Sequence, residues 1–184
     1  MTMPPMGTER QRPLVWALHT LNATVLGCVG ARAAMVWGRL PDQVPRHFDF
    51  AGEADRWAAK DAGFGVLFAI PLFLVALLYG LRAAMGCFAR RPELANLPPR
   101  LRGRSAEELA PFFESVRDAL LFSCTAVNLA VGSALWGTLQ VALGLEQAMP
   151  GWTTPKTWLP VIVAALVLGL GRMLLAGARL GRGG

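Results

Sequence analysis

Charge is scarce in this 184-residue chain: Asp, Glu, Lys and Arg together make up 16% of it, and only two of its eighteen basic residues, Lys60 and Lys156, are lysines. A soluble domain carries about 25% charged residues, so there is too little charge here to clothe a water-exposed globule of this size. The sixteen arginines bring the net charge to +6, yet they stand between apolar runs. Neither a dense basic block nor an aromatic-interleaved stripe forms, which argues against nucleic acid as a partner. Cysteine is equally sparse: Cys28, Cys87 and Cys124 show no Cys-x-x-Cys spacing, so no disulfide framework or zinc cage is expected and each reads as a small buried hydrophobe. Histidine occurs twice, as His19 and His47. The two-histidine spacing of a zinc protease is missing and no Ser or Cys nucleophile accompanies His47, so neither an enzyme nor a bound cofactor is expected.

What is abundant is apolar matter, 54% of the chain with a mean hydropathy of +0.42. Four runs carry it. Residues 13–31 hold no Asp, Glu, Lys or Arg, and the apolar character resumes beyond Arg32; residues 62–81, 119–145 and 157–171 are likewise uncharged. Twenty helical residues rise about 30 Å, the thickness of a bilayer's hydrocarbon core. Lipid offers no partner for backbone polar groups, and the alternating pattern of a membrane barrel is missing. The expected fold is therefore all-α: a polytopic membrane protein of four transmembrane helices, in contact with the lipid bilayer. Pro71 predicts a kink in the second helix. The fourth run continues past Arg172, which is expected to snorkel.

Positive charges set the expected orientation. Twelve Arg fall on one side of the four runs, Arg10, Arg12, Arg82, Arg90, Arg91, Arg100, Arg102, Arg104, Arg117, Arg172, Arg179 and Arg182, against five basic residues on the other. This places both termini in the cytoplasm of a bacterial inner membrane and residues 38–61 outside it. The first run is too long for a cleaved signal peptide and lacks a small-residue cleavage site. The chain divides into a tail over 1–12, a membrane domain over 13–88, an Arg-rich cytoplasmic loop over 89–118, and a helix pair with a short tail over 119–184. Within the Arg-rich loop Ser105 and Glu108 form a candidate capping box, and Leu109, Phe112, Phe113, Val116 and Leu120 line one face of a helix expected to lie on the inner membrane surface. Such a loop suits anionic head groups or a cytoplasmic docking partner.

The connection 38–61 holds the densest chemistry. Pro41 and Pro45 stiffen its entry, Gly52 allows a turn, and Phe48, Phe50 and Trp57 suit the membrane interface. His47, Asp49 and Asp55 could together hold a hydrated divalent ion, with Gly52, Arg56 and Trp57 completing a site for a peptide or protein ligand. The competing reading is structural: His47 hydrogen-bonds Asp55, and Arg56 pairs with a neighbouring acid. Inside the membrane, His19 and Asn22 share a helix face, Arg32 lies near the end of the first helix, and Asn128 and Gln140 lie in the third. The neutral residues are expected to face other helices, either as packing hydrogen bonds or as a transport path, and Arg32 to snorkel outward toward Asp42 or another loop acid. Ala126, Ala130 and Ala134 form a small-residue stripe for close helix contact, within the protein or in a homo-oligomer.

Residues 40–57, Leu-Pro-Asp-Gln-Val-Pro-Arg-His-Phe-Asp-Phe-Ala-Gly-Glu-Ala-Asp-Arg-Trp, resemble the pattern Leu-Pro-x-x-Ile-Pro-x-His-Phe-x-x-x-Gly-x-x-Asp-x-Trp. That pattern belongs to a bacterial membrane domain of unknown function, shared with the N-terminal part of SdpI-type immunity proteins. The likeness spans the first third of the chain and implies an uncharacterised membrane protein, with toxin immunity and signalling in the SdpI branch. Two function classes are therefore carried forward: ligand sensing or immunity through the outer loop, and a small transporter or channel subunit.

Overall fold

A computed structural model describes residues 13–182; the tail over 1–12, with Arg10 and Arg12, lies outside the described residues. Helix α1 (Pro13–Val36) runs into a single 3-10 turn, Trp37–Arg39, and then a hairpin of β1 (Gln43–Phe48) and β2 (Ala54–Ala59). Short α2 (Ala62–Leu67) and α3 (Ile70–Arg90) return through the apolar layer; α4 (Ala106–Ala142) crosses again, and α5 (Pro155–Arg182) closes the chain. Four helical segments are long and apolar enough to cross a membrane. Helix α4 is the hub, because α1, α3 and α5 all pack mainly against it. The hairpin and the α4–α5 connection lie at one end, the hairpin face, and the 91–105 connection lies at the other, the arginine-rich face.

Proline acts differently from expectation. The second crossing breaks at Phe68–Ala69, so Pro71 sits in the first turn of α3 rather than kinking a continuous helix, a position where its missing N–H costs nothing. Asp61 caps α2, its carboxylate accepting from the Phe64 amide at 2.9 Å.

The expected surface helix is also absorbed into a longer element. Ser105 Oγ accepts from the Glu108 amide at 3.2 Å and Glu108 Oε2 accepts from the Ser105 amide at 2.8 Å, a complete capping box. The helix it starts runs unbroken for 37 residues through Pro111. Its apolar face does not lie on lipid: Leu109 and Phe113 are buried with Leu97 and Leu101 of the connection, flanked by Met85, Phe88 and Leu180. Burying that stripe against three neighbouring segments removes more apolar surface from water than an isolated interfacial helix would.

Small residues decide how closely the helices approach. A Cβ on Gly132 would stand 2.6 Å from Val25 Cγ1, and one on Gly169 would stand 3.0 Å from Ala119 Cβ. Ala126 and Ala130 are buried, while Ala130 and Ala134 line an α4–α5 groove with Trp158, Leu159 and Ile162, so the alanine stripe works within the chain. Of the cysteines, Cys124 is buried as expected, whereas Cys28 and Cys87 are exposed on α1 and α3.

Candidate functional site

The hairpin is a two-stranded antiparallel sheet pairing Gln43 with Ala59, Val44 with Ala58 and Pro45 with Trp57, with irregular register around His47. Both strands are edges, so Pro45 removes no needed ladder bond. An isolated two-stranded hairpin is marginal in water; this one is held at four points. Val44 is fully buried in a cluster with Ala33, Val36, Leu40, Phe64, Leu139 and Ala142, which draws on α1, α2 and α4. Lys60 Nζ donates to the carbonyl oxygen of Leu40 at 2.9 Å, tying the hairpin's exit to the end of the first crossing. Arg46 pairs with Asp61 and lies over the Phe64 ring, 5.4 Å from its centroid.

The tip is the fourth anchor. Asp49 Oδ1 accepts from the amides of Ala51 (2.8 Å) and Glu53 (2.9 Å), and Gly52 turns the chain at φ +90°. These backbone donors, the Glu53 amide foremost, hold the Asp49 carboxyl below the usual carboxylate range. The Gly52 carbonyl accepts from the Met149 amide at 2.8 Å, Glu53 bridges to Ala148, and Lys156 lies 5.4 Å over the Phe50 ring. The hairpin, covalently part of the α1–α3 connection, is thereby also bonded to the α4–α5 connection.

Of the residues expected to form an outer site, His47 and Asp55 come together, His47 Nδ1 lying 2.6 Å from Asp55 Oδ1 with both side chains about half exposed (59% and 48%). Arg56 and Trp57 are exposed on the adjoining positions of β2. Asp49 instead serves the turn. The expected metal set is not assembled: among the described residues no group of three or more His, Cys, Asp or Glu gathers. The arginine that pairs with a neighbouring acid is Arg46, not Arg56.

The intramembrane residues converge more tightly. Asn22 is buried, with Nδ2 donating to Thr125 Oγ1 at 2.9 Å; Asn128 Nδ2 donates to the Asn22 side-chain and main-chain oxygens, both at 3.1 Å. Tyr79, from α3, approaches Asn22 and lies 2.5 Å from His19 Nδ1. One polar cluster thus joins α1, α3 and α4 near mid-membrane. Arg32 stands apart: instead of reaching a loop acid it donates to Gln140 Oε1 at 3.4 Å and stacks 5.5 Å over Trp136. Arg172 does not simply snorkel, since its Nη2 lies 3.8 Å from the buried Asp118 carboxylate. Sequence reasoning missed Tyr79, Thr125 and Met149. Tyr79 was discoverable as the chain's one tyrosine, set inside an apolar run; Met149 had no signal, because it contributes a backbone amide.

The architecture defines a membrane protein of four helices capped on one face by a docked hairpin. A family model described as "Domain of unknown function (DUF1648)" matches residues 24–75, the segment from mid-α1 through the hairpin to the start of α3. No curated protein and no solved structure matches the chain.

Proposed function

We propose that the protein senses a peptide or protein ligand at the hairpin, in the manner of an immunity or signalling protein of a bacterial inner membrane, without catalysing a reaction. One observation carries this reading: the exposed His47–Asp55 pair, with Arg56 and Trp57 beside it, stands on a hairpin bonded to both helix-to-helix connections of its face. A ligand gripping the hairpin would bear on all four crossings at once. The excess of arginine on the opposite face supports a cytoplasmic position for both termini and an outward position for the hairpin. The likeness of residues 40–57 to the SdpI-type pattern points the same way.

The test compares cells producing the wild-type chain or His47→Ala at equal membrane abundance, challenged with secreted peptide toxins of related bacteria. Protection by the wild type that His47→Ala abolishes is expected; protection indifferent to His47, or none, overturns the reading. A second reading, a small transporter or channel subunit, draws on the polar cluster of His19, Tyr79, Asn22, Thr125 and Asn128. Proteoliposome flux lost in His19→Ala or Asn128→Ala would establish it, and flux absent from the wild type would dismiss it.

A further inference from the structure

Arg32 is the one Asp, Glu, Lys or Arg residue in α1, and its surroundings leave most of its hydrogen-bonding capacity unused. Asn22 bonds to Thr125 and Asn128. The two helices run in the same direction, so that register sets Arg32 alongside residues 135–138 of α4. Its guanidinium reaches past them to Gln140, lying over Trp136 on the way, so the side chain leans toward the hairpin face. Arg32 lies four positions before the last residue of α1, Val36, a rise of about 6 Å, so the charge stands at the hairpin-face end of an apolar span. There a guanidinium without an anion is costly. Five N–H donors meet one neutral acceptor at 3.4 Å, and Nε is buried with no acceptor among the described residues. Of the acids on and beside the hairpin, Asp49 is committed to its turn, Asp55 to His47, and Asp61 to Arg46 and the Phe64 amide, and among the described residues Arg32 forms no ion pair with Asp42 or any other acid. Arg32, Trp136 and Gln140 are all only partly buried by the protein, so the group is open sideways to lipid.

We propose that Arg32, with Trp136 and Gln140, binds the phosphate of an anionic phospholipid head group in the leaflet on the hairpin face. A phosphodiester presents two oxygens at the spacing of the guanidinium fork and supplies the missing negative charge. The Trp136 ring, apolar in body and polar at its N–H, suits the level where acyl chain meets head group. The Gln140 amide nitrogen is a further donor within the same group. Free inorganic phosphate shares the chemistry, but the position below the helix end favours a head group that carries its own acyl chains into the layer. The site is independent of ligand sensing at His47.

The experiment is native mass spectrometry of the full-length protein released from bilayers of equimolar phosphatidylglycerol and phosphatidylcholine. The wild type is expected to retain one more phosphatidylglycerol than Arg32→Gln, with a preference over phosphatidylcholine at that site of about tenfold, the effect of one charge-assisted hydrogen bond. Arg32→Lys, which keeps the charge and loses the fork, is expected to fall between them. Brominated phosphatidylglycerol should quench the fluorescence contributed by Trp136, taken as wild type minus Trp136→Phe, more than brominated phosphatidylcholine does. Retention unaffected by inorganic phosphate assigns the site to lipid; displacement by phosphate keeps the phosphate site and assigns it to the soluble anion. Equal phosphatidylglycerol retention in wild type, Arg32→Gln and Arg32→Lys overturns the proposal. Should Arg32→Gln fail to fold, Arg32→Lys and the quenching difference decide it.

Discussion

Gly52→Ala should undock the hairpin. Gly52 holds φ +90°, and an added Cβ would stand 3.1 Å from both Met149 Cβ and Thr154 Cγ2. The backbone conformation alone costs an alanine ~1–2 kcal/mol. Forcing a methyl into a contact made of a backbone-fixed Cβ and a buried threonine adds ~1–3 kcal/mol. The low end of the sum, about 2 kcal/mol, already raises local opening roughly thirtyfold. Because the Gly52 carbonyl receives the Met149 amide, the loss should appear on both sides of the contact. Hydrogen exchange followed by mass spectrometry is the assay: peptides covering 43–60 and 146–156 should exchange faster together in Gly52→Ala, with the transmembrane peptides unchanged. Gly144→Ala is the control, since φ there is +67° but a Cβ meets nothing within 4 Å; its effect should stay at the end of α4. Exchange at wild-type rates in Gly52→Ala, or faster exchange confined to the hairpin, would refute the inferred coupling between the two connections.

Two further outcomes are expected. Asn22→Ala, Asn128→Ala and the double variant, unfolded in mixed micelles, should give a coupling energy of about 0.6–2 kcal/mol, the range for interhelical hydrogen bonds in membranes; a coupling of zero means that the two amides do not bond across α1 and α4. Titration should also leave the hairpin tip intact through the physiological range. The Asp49 carboxyl sits below its ordinary value of 3.8, so its contribution is fully present above that value and is lost only as pH falls through the lowered one. Asp61, lowered by Arg46 and the Phe64 amide, should behave alike at the cap of α2. Exchange at the amides of Ala51 and Glu53, corrected for intrinsic rates, should therefore keep constant protection from pH 7 to about 5; a transition within that window contradicts the turn geometry.

The hairpin site was legible only in part. The pairing of His47 with Asp55 follows from their proximity across a turn that Gly52 permits, and the sequence contains both facts. The failure of Asp49 to join them does not follow, because it depends on which amides the turn points at its carboxylate. Arg46 and Arg56 look alike in the sequence; packing against Phe64 selected Arg46 for the ion pair with Asp61. The amphipathic stripe from Leu109 to Leu120 predicts a helix on the membrane surface, whereas protein buries Leu109 and Phe113, since periodicity reports that a face is buried and not what buries it.

The sequence by itself determined four apolar crossings, the hairpin between the first two and the capping box at Ser105. Transfer of a long uncharged run into lipid and closure of a local hydrogen bond depend on composition and near neighbours alone. Only the tertiary structure decided that Met149 takes up the Gly52 carbonyl, that Asn22 meets Thr125, Asn128 and Tyr79, and that Arg32 lies over Trp136 with no acid paired to it among the described residues. Each of these joins residues more than fifty positions apart, and which helix faces meet is fixed by where glycine and alanine let backbones close, a property of the packed bundle that no single segment carries.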